Sequence, residues 1–180
     1  MDLRSFIQKN FLSCRLKTCL STKAGYLMVN ITYVSGDVSL IDRIKPLWEE
    51  LNHQHLSLSP YFKDYYLTLT FQDRKQAILQ RSLGGDVRVD LALDSSGKLI
   101  GYCVTSIDNL MIGEVDSIFV NPLCRGQGIG RALMEKTLEW LNSKGVKKKI
   151  VSVAVGNEQA YGFYSRFGFF PRRTLLEQKQ

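Results

Sequence analysis

The stretch Glu114-Val-Asp-Ser-Ile-Phe-Val-Asn-Pro-Leu-Cys-Arg-Gly-Gln-Gly-Ile-Gly-Arg-Ala-Leu133 reads as a strand, a tight turn and the start of a helix. Val115 to Val120 is mostly β-branched or apolar. Asn121-Pro122 stops the run, because proline has no N–H to give to a sheet ladder. Gly126, Gly128 and Gly130 follow, and glycine tolerates backbone conformations that a Cβ would obstruct. The next helix begins with its first amides unpaired and pointing into the turn. With the positive end of the helix dipole, those amides suit a phosphate or pyrophosphate without a dedicated lysine.

Two phosphate motifs can be tested against this turn. A Walker loop needs Lys-Ser/Thr where Arg131-Ala132 stands, so it fails. The dinucleotide fingerprint lacks its third small residue at the proper offset after Gly126-x-Gly128, and no acidic residue follows about 20 residues on, at the end of a next strand. What the run does fit is Arg-x-x-Gly-x-Gly after a strand ending in Val-Asn-Pro, which resembles the coenzyme A loop of the GNAT family of N-acetyltransferases. On this pattern alone, a glycine-rich helix cap without a ligand stays open.

Length and composition set the outer bounds. The chain has 180 residues, of which 44% are hydrophobic, enough for one domain with a sizeable core. It contains no run of about 18 apolar residues, which excludes a membrane-spanning helix. The formal net charge is +7, but residues 1–27 carry five Lys/Arg against Asp2 alone and so hold +4 of it. Outside that leader, the dense basic cluster is Lys144 with Lys147 to Lys149, where solvated lysines also complement a helix C-terminus. This distribution argues against a nucleic-acid site. Cys14, Cys19, Cys103 and Cys124 show no zinc spacing, so no metal site is expected; reduced thiols in the cytoplasm are. Cys124 lies beside the turn with no histidine near it in sequence, which reads as packing or loop exposure rather than a nucleophile.

Residues 1–27 have Leu3, Phe6, Ile7 and Phe11 at helical spacing before a Ser/Thr/Lys stretch. A docked helix, an organelle-type presequence and an upstream extension before Met28 all remain open. The domain itself is expected over residues 28–180. Asn30 to Val34 reads as a strand, and Ser39 to Asp42 as a capping box opening a helix with Ile44, Leu47, Trp48 and Leu51 on one face. Pro46 should kink that helix or mark its true start. His53-Gln-His55 and the group Tyr61, Phe62, Tyr65 and Tyr66 read as a loop whose aromatic and imidazole rings line a cavity or simply pack. Thr70 to Ser82 reads as a helix, and Val87 to Leu93 and Leu99 to Ser106 as strands joined by the turn Asp94 to Gly97.

Beyond the turn, Ile129, Leu133, Met134, Leu138, Trp140 and Leu141 share one half of a helical wheel. Gly145 ends this helix, and Lys149 to Val155 reads as a buried strand parallel to the Glu114 strand across a helical crossover. Asn157 is placed to cap a short helix with Ala160, Phe163, Tyr164 and Phe167 on one face, stopped by Gly168. Phe169 to Leu176 reads as a final strand.

The order of elements resembles the GNAT fold over residues 29–176: an α/β (α+β) architecture whose mixed central sheet of about six strands has helices on both faces and splays at the Glu114–Val120 strand. Asn157-x-x-Ala160-x-x-Phe163-Tyr164-x-x-Phe167-Gly168-Phe169 is similar to that family's closing motif. Two motifs at the expected separation carry the resemblance far better than either alone. It implies an N-acetyltransferase that moves an acetyl group from acetyl-coenzyme A, bound as a co-substrate, to a primary amine on a small molecule or protein. The pantetheine arm would bond to the backbone of Ile118, Phe119 and Val120 as a pseudo-strand. Arg125, Gly126, Gln127, Gly128, Ile129, Gly130 and Arg131 would hold the pyrophosphate, and Asn157 would contact the cofactor. Tyr164 is the implied acid beside the sulfur, and Glu114 or Asp116 the base, since the position where other members carry a glutamate is Ser152 here. Glu49, Glu50 and Asp64 would suit a cationic acceptor. Only twelve residues follow Gly168, so the acceptor cleft is either more open or completed by a second subunit in a homodimer. A coenzyme-A-binding regulatory module with little catalysis is the alternative reading, motivated by Ser152.

Overall fold

A computed structural model of the chain describes residues 30–179, so the expectations for the leader and for a start at Met28 lie outside the described residues. Five strands form one sheet in sequential order: β1 (Thr32–Gly36), β2 (Asp86–Leu93), β3 (Leu99–Ile107), β4 (Ile112–Val120) and β5 (Lys148–Val151). The first four run antiparallel to their neighbours, and β5 lies parallel to β4. The helices are α1 (Lys45–Leu58), α2 (Lys63–Thr68), α3 (Phe71–Gly84), α4 (Ile129–Ser143) and α5 (Tyr161–Tyr164). Among the described residues no helix is long and apolar enough to cross a membrane.

Alternation along the strands divides the core into two layers. Val89, Leu91, Tyr102, Val104 and Phe119 face Ile44, Leu47, Trp48, Phe71 and Ile78 from α1, α3 and the turn before α1. Ala92, Ile100, Cys103 and Val115 face Ile129, Leu133 and Met134 of α4, with Phe163, Tyr164, Phe167 and Phe169 packed alongside. The wheel read for α4 holds, with Thr137 added to the buried face. Its hydroxyl lies 3.2 Å from Cys103 Sγ and 3.3 Å from Thr105 Oγ1, which satisfies polar groups that burial would otherwise strand. Burial raises the Cys103 thiol to about 11, so it packs as a neutral group.

The splay follows from the β4–β5 register. The two strands pair only from Ile112 with Lys148 to Val115 with Val151, so Asp116 to Val120 have no partner on that side among the described residues. A bulge lies at the same point: Ser117 pairs with Val104 and Val115 with Thr105, which leaves Asp116 as the extra residue. A bulge bends its strand and re-aims a side chain. Here it turns Asp116 toward α3.

Several local expectations need correction. The final strand, Phe169 to Leu176, does not form, and among the described residues the sheet has five strands rather than about six. Only Phe169 reaches the core; Pro171 has no ladder donor, and Phe170, Leu175 and Leu176 stay largely in solvent. The strand β5 stops at Val151 instead of Val155, where the chain leaves the sheet. No Ser39/Asp42 capping box opens the first helix: the Asp37 carboxylate accepts from the Ser39 amide to begin a 3₁₀ turn, and α1 starts beside Pro46, the second of the two options. His53 and His55 belong to α1, and Tyr65 and Tyr66 to the short α2, rather than to a loop. The capping box that does exist is Thr70 with Asp73, at the start of α3.

Candidate active site

Two cavities adjoin the splay. The first, about 570 Å³, runs from Ile118, Phe119 and Val120 over the glycine turn to Asn157, Phe163 and Tyr164. The turn leaves its amides open. Gly126 and Gly128 hold φ near +80°, a region unfavourable for a side chain bearing Cβ, and Gly128 is the left-handed N-cap of α4. The first intrahelical bond there is from the Ala132 amide to the Gly128 carbonyl, so the amides of Ile129, Gly130 and Arg131 precede it and are free to meet a ligand. Gly130 is not at positive φ; a Cβ on it would lie 3.4 Å from the Phe163 ring.

The supporting charges are differently disposed. The Arg125 Nε donates to the Val120 carbonyl at 3.1 Å, and its guanidinium lies 5.4 Å over the Phe119 ring. Arg131 Nε donates to Glu135 at 2.7 Å across one helical turn, in solvent. Every residue expected to hold the cofactor lines this cleft except Gln127. Cys124 also lies in its wall, half-buried. Arg166, Gln54 and Gln159 are additions that no local pattern in the sequence marked.

The second cavity, about 400 Å³, is walled by Trp48, His55, Tyr65, Tyr66 and Leu69 on one side and by Asp116, Ser117, Ser152 and Ala154 on the other. Asn52 fixes the aromatic wall by donating to the Tyr66 carbonyl at 2.9 Å, tying α2 to α1. Leu51, Ile118, Asn157 and Tyr164 line both cavities, which therefore meet where β4 and β5 part. Gly156 sets the path of the chain there: it holds φ +94°, and a Cβ on it would lie 2.2 Å from the Leu58 carbonyl oxygen at the end of α1. The next residue, Asn157, occupies the N-cap position of a 3₁₀ turn, yet its side chain does not cap it as expected. Its side-chain oxygen instead accepts from Gln159 Nε2 at 3.4 Å, and the residue lines both cavities.

The two candidate carboxylates differ. Glu114 accepts from Ser152 Oγ at 3.2 Å and from Arg81 at 3.3 Å, and it lines neither cavity. Asp116 lines the second cavity, but its side chain is only 1% exposed; Arg81 pairs with its Oδ1, and Arg74 donates to its carbonyl at 2.7 Å. Arg74 also lines the cavity, and burial, then the charge of Arg81, lowers its pKa. Tyr164 is packed against Phe163 and Phe169, and burial holds its hydroxyl well above the ordinary tyrosine range. Glu49, Glu50 and Asp64 do not line the second cavity.

Comparison with known proteins fits this geometry. The family model described as "Acetyltransferase (GNAT) family" matches residues 47–169. An uncharacterised N-acetyltransferase of Methanocaldococcus jannaschii is 35% identical over 86 residues, which cover 44% of this chain and 38% of that protein. The chain thus spans well under half of that relative's length. A solved Pyrococcus furiosus protein proposed to be an acetyl transferase superposes with TM-score 0.64 at 26% identity, covering 84% of this chain and all of that one. The structure of AAC(6')-Iy with the bisubstrate analogue CoA-S-monomethyl-acetylneamine superposes at 0.55 with 20% identity, over 84% of this chain and 99% of that one, and shows the shared fold. With the family model covering more than half of its length, the chain belongs to the GNAT acetyltransferase family.

Proposed function

We propose that the chain transfers an acetyl group from acetyl-coenzyme A to a primary amine by direct attack while both substrates are bound. The observation that carries this reading is the junction of two cavities at Ile118, Asn157 and Tyr164. One is shaped for an anionic, peptide-like carrier, and the other opens onto its far end.

In this reading the pyrophosphate rests on the amides at the start of α4, and the pantetheine arm lies along Ile118 to Val120, where β4 lacks a partner on its β5 side among the described residues. A carbonyl has two lone pairs, so Val120 can serve both Arg125 and the arm. Tyr164, neutral across the physiological range, donates the proton that the departing sulfur needs. The amine reaches the thioester from the aromatic cavity. The free thiols Cys103 and Cys124 are consistent with a cytoplasmic setting. The outer edge of β5, without a partner strand among the described residues, leaves room for a second copy of the chain.

The carboxylate arrangement favours one other reading. Ser152 stands where a glutamate would act, and Arg81 occupies both Glu114 and Asp116. A coenzyme-A-binding module with little turnover would tolerate that. Incubating the purified chain with acetyl-coenzyme A and a panel of primary amines, and following release of free thiol, separates the two. Amine-dependent release supports acetyl transfer; acetyl-coenzyme A binding with no release on any amine supports the binding module.

A further inference from the structure

The geometry points to His55 as the group that takes the proton from the acceptor amine, in place of either β4 carboxylate; this rests on the acetyl-transfer reading above. Seven titratable or charged side chains face the acceptor cavity: His55 from α1, Tyr65 and Tyr66 from α2, Asp73 and Arg74 from α3, Asp116 from β4, and Tyr164. A base must be uncharged or weakly held, able to gain a proton, and free of other partners.

Most of these groups fail that requirement. The tyrosines are acids at neutral pH, and burial raises Tyr66 and Tyr164 further. Arg74 is a cation hydrogen-bonded to the Asp116 carbonyl. The Asp73 carboxylate closes the capping box of α3, accepting from the Thr70 amide at 3.0 Å and its hydroxyl at 2.6 Å, and these bonds lower its pKa. Asp116 is ion-paired with Arg81 through Oδ1, and although its Oδ2 has no hydrogen-bond partner among the described residues, that atom is buried and closed to an incoming amine. Glu114, outside the cavity, is held by Arg81 and Ser152.

His55 differs from all of them. Its ring is half-buried in the cavity wall, 5.5 Å from the Tyr66 ring, and its side chain has no hydrogen-bond partner among the described residues. Burial lowers its pKa from the ordinary value, so the neutral imidazole prevails at pH 7.

The proton count closes with this assignment. The ammonium gives one proton to an imidazole nitrogen of His55, and the freed lone pair forms the N–C bond to the acetyl carbon. As the C–S bond breaks, its electron pair stays on sulfur, which takes a proton from the Tyr164 hydroxyl. The second proton lost by nitrogen restores that hydroxyl. Amide and thiol leave, and the imidazolium returns its proton to solvent.

The test uses the full chain, acetyl-coenzyme A and 2-phenylethylamine, a probe chosen to match the aromatic wall. His55→Ala should lower kcat about a hundredfold, leave the Kd for acetyl-coenzyme A unchanged and regain part of its activity when imidazole is added. His55→Gln, closer in shape, should abolish the acid limb of the kcat–pH profile, which in the wild type lies below the ordinary histidine value of about 6.5. Wild-type kcat and an unchanged acid limb in both variants would overturn the assignment while leaving acetyl transfer intact. A wild-type chain that acetylates no primary amine would overturn acetyl transfer itself and the assignment with it.

Discussion

The two cavities are built by opposite means. The cleft proposed for the cofactor is mostly made of one continuous piece of chain, Ile118 to Arg131, and much of what it offers a ligand is backbone: a strand edge unpaired on its β5 side, two glycines at positive φ and the open end of α4. The cavity proposed for the acceptor is made of side chains drawn from α1, α2, α3, β4, the loop after β5 and α5. Backbone geometry recognises a feature common to many ligands, a phosphate or an amide arm, whereas a wall of side chains selects one body shape. On the acetyl-transfer reading, the fold would set the carrier and the wall the acceptor.

If that contrast is right, damage to one cavity should spare the other. The largest effect is expected from Gly128→Glu. A Cβ at φ +79° is strained, and a carboxylate beside the cradle repels a pyrophosphate; acetyl-coenzyme A affinity should fall at least about a hundredfold by calorimetry, with amine binding retained. Tyr164→Phe should lower kcat by about ten- to a hundredfold with little change in either affinity. An acid works while protonated, and burial raises this one, so the wild-type profile should not begin to fall until above pH 10 on its account. A basic limb below pH 9 that disappears in Tyr164→Phe would show the hydroxyl in a less buried setting.

Smaller effects sharpen the other half. Tyr66→Ala opens the aromatic wall and should raise the amine KM about tenfold, about 1.4 kcal/mol, while the acetyl-coenzyme A KM stays within twofold. An equal rise in both would mean that the walls are mechanically coupled. Least of all, Thr70→Ala removes the α3 cap and should cost about 1 kcal/mol in denaturant unfolding, with both KM values unchanged.

The same contrast explains what the sequence made legible. The Glu114–Leu133 run carries strand, stop, turn and amphipathic helix within 20 residues, so local rules suffice to read it, and the residues expected to hold a cofactor line one cleft, Gln127 excepted. The acceptor cavity depends on contacts that no local pattern records. The Asp116 bulge arises from a mismatch between β3 and β4, and it decides which carboxylate meets the cavity. Arg81 lies more than thirty residues from the carboxylates it holds. The tail departs from its pattern for a related reason: Phe169 to Leu176 has strand-like composition, but a strand also needs a neighbour, and only Phe169 finds the core. His53 and His55 looked equivalent two residues apart, whereas helix α1 turns His55 into the cavity and leaves His53 in solvent.

Initial-velocity kinetics with both substrates varied tests the central claim, that two cavities joined at Ile118, Asn157 and Tyr164 hold acetyl-coenzyme A and amine together. Direct attack in a ternary complex predicts reciprocal plots that intersect and no acetylated enzyme by mass spectrometry. Parallel plots with a stable acetyl group on the chain, the pattern of a covalent relay, would contradict it.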